Sequence, residues 1–368
     1  MWLITGATGL VGGMLAEVLP GEIVAMSRRQ MPGAGWVCGD IARDGFGFDA
    51  GTKESLQRRI TGIVHCAADV RFTAPLDQAR NVNTAGTGRL LDFARGCGKL
   101  RAFAHVSTVY VLGGEEKTLP EGRAQSARWI STYEQSKYEA EEVALDAART
   151  LPVAIYRLSS IVGDAATGRV RQFNHVHQML RLMPRKLLPA IPGEADALMD
   201  LIPSDAAIQA LAHLIRERCE AGTVWNVCSG EERSWTLEQI IEEAVRAYHD
   251  HGQPICGPRL VKPAQFASVL HRFGGLTQDL LNVASNFLPH LGLHQRFACE
   301  RSSEELARVR LGLPHVSAYF ARVMRYCFES RWGNEPINDD ADVGAVCTNG
   351  RGAEIISAGA RLPSEAAG

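Results

Sequence analysis

A chain of 368 residues, 46% hydrophobic and 22% charged, has enough apolar side chains for one large core or two moderate ones, which excludes disorder of the bulk. Its 39 basic residues against 41 acidic ones leave no net field to gather nucleic acid or an anionic membrane, and no nucleic-acid partner is expected. Nine scattered cysteines without a Cys-x-x-Cys spacing read as reduced thiols, and no apolar run reaches the ~20 residues of a membrane span.

The chain opens on an apolar strand, Met1-Trp2-Leu3-Ile4, with no leader ahead of it, so a cytoplasmic protein is expected. The strand runs through Thr5 into the glycine-spaced turn Gly6-Ala7-Thr8-Gly9-Leu10-Val11-Gly12. A backbone approaches a diphosphate closely only where side chains are absent, and the helix that follows offers unpaired N–H groups and a positive dipole end. Met14, Leu15, Val18 and Leu19 recur at helical spacing before Pro20-Gly21. Gly6, Thr8, Gly9, Leu10, Val11 and Gly12 are therefore expected to hold a dinucleotide pyrophosphate. A second strand, Ile23 to Met26, ends in Ser27-Arg28-Arg29, about where an NAD-specific protein places an acidic residue against the ribose 2′-hydroxyl. Two guanidiniums beside a hydroxyl suit a 2′-phosphate instead, so Arg28 and Arg29 point to NADPH as the preferred cofactor, with NAD as the alternative.

Short apolar runs then alternate with amphipathic stretches. Trp36–Cys38, Gly62–Cys66, Ala102–Val106 and Ala154–Arg157 read as strands, and Thr84 to Cys97 and Tyr133 to Ala148 as helices. This alternation predicts an α/β fold around a doubly wound parallel sheet of Rossmann type. Beyond Gly163 the rhythm is broken by Pro184, Pro189, Pro192 and Pro203, while Thr223–Cys228 reads as one further sheet strand. The expected division is a dinucleotide-binding domain of residues 1–164 and 201–229, and a smaller, mostly helical substrate domain of residues 165–200 and 230–332. Thr236 is placed to cap a helix running to Ala247. Residues 265–297, rich in Phe, Leu and Gly, suit the lining of an apolar pocket or a dimer face, so a homodimer stays open. Residues 333–368 lose their aromatics and read as a disordered tail.

Tyr133 and Lys137 stand four residues apart, one above the other on a helix face. A cation beside a phenol stabilises the phenolate, and the expectation is a Tyr133 pKa drawn down from ~10, ready to pass a proton to or from a substrate oxygen. Upstream, His105-Val106-Ser107-Thr108 ends a strand whose hydroxyls project toward the cofactor cleft; Thr108 is the expected partner of the substrate oxygen, with Ser107 as the alternative register. His65 and His105 read as packing residues. The pairs His175/His177, His249/His251 and His290/His294 lack a third ligand at a recognisable spacing, so no metal is expected.

Across residues 1 to about 230 these motifs resemble the extended short-chain dehydrogenase/reductase superfamily. Gly39-Asp40-Ile41 looks like its adenine contact, His65-Cys66-Ala67-Ala68 like its strand beside the cofactor, and Asn83-Thr84-Ala85-Gly86-Thr87 like its central helix. The resemblance implies Asp40, Ile41, Ala67, Ala68, Asn83 and Lys137 as cofactor contacts and Thr108, Tyr133 and Lys137 as the catalytic set. His65–Phe72, Tyr133–Glu141, Tyr156–Asp164 and Leu201–Asp205 resemble the fatty acyl-CoA reductase and thioester reductase branch, also called male-sterility-like, although Leu158 stands where that branch usually has proline. This implies NADPH-dependent reduction of a hydrophobic acyl thioester, delivered by a separate acyl carrier protein or by coenzyme A because no adenylation or carrier sequence precedes the motifs. The alternatives are a dehydrogenase or epimerase acting on a secondary alcohol and a non-catalytic NADPH-binding protein.

Overall fold

The computed structural model describes residues 1–185, 190–262, 266 and 288–335. The chain divides into the units Met1–Glu335 and Pro336–Gly368, and the second lies outside the described residues. So do most of the expected apolar stretch 265–297 and all but three residues of the expected tail 333–368.

Seven strands form the central sheet: β1 (Trp2–Thr5), β2 (Ile23–Ser27), β3 (Trp36–Cys38), β4 (Gly62–His65), β5 (Ala102–Thr108), β6 (Val153–Leu158) and β7 (Val224–Val227). Their order is β7-β6-β5-β4-β1-β2-β3, and every neighbouring pair is parallel. The chain winds outward from β1 in one direction and from β4 in the other, so the strand order reverses between β1 and β4, where a doubly wound sheet opens a crevice at its carboxyl edge.

Helices cover both faces because side chains alternate along each strand. Ile4, Val64, Ala104 and Tyr156 meet Leu15 of α1 (Leu10–Val18) and Ile208, Leu211 and Leu214 of a long helix over Ser204–Glu217. Leu3, Ile63, Phe103 and Ile155 face the other way, onto Leu56 of α2 (Ala50–Arg59), Leu90 of α3 (Leu76–Arg95) and Ala144 of α4 (Thr132–Ala147). In chain order the remaining helices are α5 (His175–Leu182), α6 (the Ser204–Glu217 helix), α7 (Leu237–Asp250), α8 (Glu300–Arg308) and α9 (Phe320–Glu329). Val176 and Met179 of α5, Ile240 and Tyr248 of α7, and Val323 and Met324 of α9 build a separate apolar cluster.

Local chemistry sets the boundaries. Ser131 caps α4 in a reciprocal box with Glu134, and Thr236 caps α7 in the same way with Gln239. Two elements run longer than their apolar pattern predicts. α3 begins at Leu76, eight residues before Thr84, because the buried face of its opening turns carries Ala79 and the polar Asn83 rather than large apolar residues. β5 continues through Ser107 and Thr108, hydroxyl residues that no hydrophobic alternation would include.

Candidate active site

At the reversal point β1 ends in Thr5 and the chain turns at Gly6, whose φ of 69° lies in the left-handed region. A Cβ on Gly6 would stand 2.6 Å from the Ala67 nitrogen, and one on Gly12 would stand 2.4 Å from the Gly6 carbonyl oxygen. The Gly9 N–H donates to that same carbonyl at 2.9 Å, and no side chain caps the opening turn of α1. Thr8 and Gly9 are exposed, with Leu10 and Val11 half-buried behind them. The result is a side-chain-free cradle at a helix N-terminus, which fits a diphosphate.

Arg28 and Arg29 follow β2 and are both exposed; the Arg29 N–H donates to Ser27 Oγ at 3.2 Å. Asp69, on the loop after β4, is gripped by the guanidinium of Arg71 at 2.9 and 2.6 Å, and this bond, with a smaller contribution from the charge of Arg28, holds its carboxyl below the usual range. The Asp40 carboxylate accepts the Ala42 N–H at 2.9 Å. Ile41 is buried so closely against α3 that a Cβ on Gly86 would lie 2.9 Å from its Cγ1. The Ala67 N–H donates to Thr5 Oγ1 at 3.2 Å, which, with Ala68 half-buried beside it, brings the loop after β4 against the glycine turn.

Thr108 and Tyr133 meet at the carboxyl end of β5. The Thr108 hydroxyl accepts the Tyr110 N–H at 3.2 Å and faces the Tyr133 phenol, whereas Ser107 Oγ, one residue earlier and on the other face, is buried without a hydrogen-bond partner. Lys137 is 4% exposed and donates through Nζ to the Val106 carbonyl at 2.9 Å. Burial pulls its ammonium down to about 8 against the opposing influence of Glu141 and Cys66.

The expected downward shift of Tyr133 is not what the geometry produces. Desolvation drives the phenol well above its ordinary value, the Thr108 hydroxyl offsets only part of this, and the neighbouring Tyr110 and Glu134 push further in the same direction. Helical spacing predicts that Lys137 lies near Tyr133; it does not predict that the amine turns to the β5 backbone, where its charge bears on His65, Cys66 and His105 instead.

A second group of polar residues fixes the surroundings. Thr87 donates to the Asn83 carbonyl at 2.6 Å and so accepts from His65 Nε2 at 3.0 Å, leaving His65 Nδ1 to accept from Thr5 Oγ1 at 2.7 Å. Burial, reinforced by the Lys137 charge, takes His65 down to about 3, so this ring is a neutral connector between α3 and the root of the glycine turn. Asn83 has its polar side-chain atoms engaged within the protein. Its Oδ1 accepts the Asp69 N–H at 2.7 Å, and its Nδ2 donates to the Asp69 carbonyl at 3.0 Å and to Ser136 Oγ on α4 at 2.9 Å. His105, wholly buried beside His65 with ring centroids 5.4 Å apart, has no hydrogen-bond partner for either ring nitrogen.

Sequence reasoning misses the aromatic wall beside Tyr133. Phe72 stacks on Tyr133 with ring centroids 5.5 Å apart, and His175 and His290 pack on Phe72 at 5.3 and 6.0 Å. Tyr110 completes the wall, 5.1 Å from the His290 ring and bonded through its hydroxyl to Ser160 Oγ at 2.7 Å; burial pushes its phenol up to about 12. Beyond Tyr110 lies a small cavity of mixed lining, with Val109, Leu198, Met199 and Phe297 beside Asp200 and Gln295. Glu134, fully buried, places one carboxylate oxygen on the Ile130 and Ser131 N–H groups and the other 2.8 Å from His290 Nε2. The Ser131-x-x-Glu134 spacing announces the cap, but nothing local announces the histidine. Among the described residues no three His, Cys, Asp or Glu side chains converge as metal ligands, and no helix is long and apolar enough to cross a membrane.

A family model described as male sterility protein matches residues 24–211, from β2 into α6. The isonitrile lipopeptide synthase of Streptomyces coeruleorubidus is 31% identical over 273 residues, 66% of this chain and 18% of that protein. Fatty acyl-CoA reductase 2, chloroplastic, of Arabidopsis thaliana is 32% identical over 119 residues, 32% of this chain and 19% of that protein. This chain thus spans about a fifth of the length of these two relatives. Among solved structures, the terminal R domain of the myxalamid PKS-NRPS pathway superposes with a TM-score of 0.75 at 22% identity, covering 91% of this chain and 92% of that one. The reductase (R) domain of a nonribosomal peptide synthetase from Mycobacterium tuberculosis gives a TM-score of 0.67 at 21% identity, with 91% and 92% covered. The chain belongs to the male sterility protein family, the fatty acyl-CoA reductase and thioester reductase branch of the extended short-chain dehydrogenases/reductases.

Proposed function

We propose that this chain is a cytoplasmic, NADPH-dependent reductase of hydrophobic acyl thioesters presented on an acyl carrier protein or on coenzyme A. The reading is carried by one observation: Thr108 facing Tyr133 at the carboxyl end of β5, with Lys137 one helical turn on. The nucleotide would lie over Gly6, Thr8, Gly9, Leu10, Val11 and Gly12, with Asp40, Ile41, Ala67 and Ala68 around the adenine and the loop after β4, and Arg28 and Arg29 on a 2′-phosphate. Asn83 would act there indirectly, by holding Asp69 and Ser136 in place. Segments 165–200 and 230–332 would contain the acyl chain, the cavity beyond Tyr110 being its start. The names of the relatives, an isonitrile lipopeptide synthase and a fatty acyl-CoA reductase, support a thioester over a sugar or sterol alcohol.

When bound, the dihydronicotinamide supplies a hydride to the carbonyl carbon. Thr108 donates to the carbonyl oxygen, and Tyr133, fully protonated at neutral pH because of its raised pKa, gives its proton to that oxygen as charge develops. Lys137 spends one of its donors on Val106 and has two left for the ribose hydroxyls that orient the ring.

Incubation with NADPH and a panel of acyl-coenzyme A and acyl-pantetheine thioesters, followed by absorbance and free-thiol release, tests the reading. Tyr133→Phe is expected to lower turnover by about 10²–10⁴-fold while leaving NADPH affinity nearly unchanged. Replacing Arg28 and Arg29 by Ala is expected to weaken NADPH roughly tenfold or more without weakening NADH. Oxidation of secondary alcohols with no thioester turnover would overturn the assignment.

A further inference from the structure

Reduction of a thioester to an aldehyde consumes one proton beyond the hydride, and Tyr133 does not account for it. Tyr133 protonates the carbonyl oxygen when the hemithioacetal forms and recovers that proton when the C=O bond is restored. The proton that is consumed ends on sulfur. The C–S bond breaks, its electron pair leaves with the sulfur, and an alkyl thiolate, a poor leaving group, departs more readily with an acid beside it.

The wall next to Tyr133 contains four candidates. His175 is taken down to about 3 by burial, with His290 and His177 adding to the effect, and so stays neutral. Tyr110, pushed up to about 12, is hydrogen-bonded to Ser160. The Asp200 carboxylate accepts the Ser229 and Gly230 N–H groups, both at 2.9 Å. His290 differs from these. It packs on Phe72, which stacks on Tyr133, and on Tyr110, it lines the cavity, and its Nε2 stands 2.8 Å from a buried carboxylate whose other oxygen caps the helix carrying Tyr133.

On the thioester reading above, we propose that His290, held and balanced in charge by Glu134, is the acid that protonates the departing sulfur, a catalytic residue additional to Thr108, Tyr133 and Lys137. The imidazolium gives its proton to the sulfur as the C–S bond breaks, leaving a thiol, an aldehyde and a neutral ring that regains a proton from solvent. Glu134 is a positioning residue.

The test uses one acyl group on two thiols, an alkyl thiol of the pantetheine type and an aryl thiol of the thiophenol type, which leaves without assistance. His290→Gln keeps a donor for Glu134 but has no dissociable proton. It is expected to lower alkyl thioester turnover roughly a hundredfold and to change aryl thioester turnover less than about threefold. Equal losses on both thioesters, or no loss on the alkyl one, would overturn the role of His290. Should His290→Gln not fold, the wild-type chain decides: its turnover is expected to be nearly level across the two thiols, and a steep fall from aryl to alkyl would overturn the role. A wild-type chain that turns over neither thioester overturns the thioester reading itself, a result distinct from both.

Discussion

An amine sealed beneath a helix pays a desolvation cost that function must justify. Lys137 keeps its proton in the folded chain only up to about 8, whereas in the unfolded chain it keeps it to the ordinary 10.5. Between those values the unfolded state binds more protons, so stability rises with pH across the window and the full penalty, roughly 3 kcal/mol, is present below it. Lys137→Met removes the charge and also the bond to Val106, worth about 1 kcal/mol. The variant is expected to be the more stable protein at pH 7, to lose that advantage by pH 10.5, and to be inactive throughout; melting curves across this range are the check. The placement of Thr108 at a strand end and of Tyr133 and Lys137 one turn apart on a helix was legible because strand ends and helix periodicity are local properties. The direction of the Tyr133 shift was not, because spacing gives proximity and leaves open where a flexible amine points. Phe72, Tyr110, Glu134 and His290 were equally illegible as a group, since they come from four separated segments.

At the scale of elements, α4 is held to the sheet by a buried ion pair. Arg157 on β6 meets Glu141 at 2.7 Å with both side chains at most 2% exposed, and the guanidinium also donates to the Pro120 carbonyl at 3.0 Å. Such a pair adds little over well-packed apolar residues, but removing one partner strands a buried charge. Glu141→Gln is expected to cost about 3–5 kcal/mol, and the double change of Glu141 and Arg157 to Met clearly less; denaturant titration of the double-mutant cycle measures the difference. The strands themselves were plain in the sequence because a parallel sheet covered on both faces demands continuous apolar runs. The opening turns of α3 were hidden because a buried asparagine there replaces the apolar residue that periodicity looks for.

Across the whole molecule, the sheet and the helical cluster of α5, α7 and α9 lie within one compact unit, Met1–Glu335. Met324, wholly buried in that cluster, is far in sequence from the strands. Its replacement by Ala is expected to cost about 2–5 kcal/mol and to lower a single shared calorimetric transition rather than split it in two.

The bonds of Asn83 reach further than their size suggests. By tying the Asp69 backbone to the helix that bears Tyr133, one amide makes the chemical half of the cleft a single stiff piece. On the thioester reading, a bulkier or differently shaped acyl group would then be accommodated around Leu198, Met199 and Phe297. Evolution could therefore retailor what the protein accepts there without retuning how it reacts.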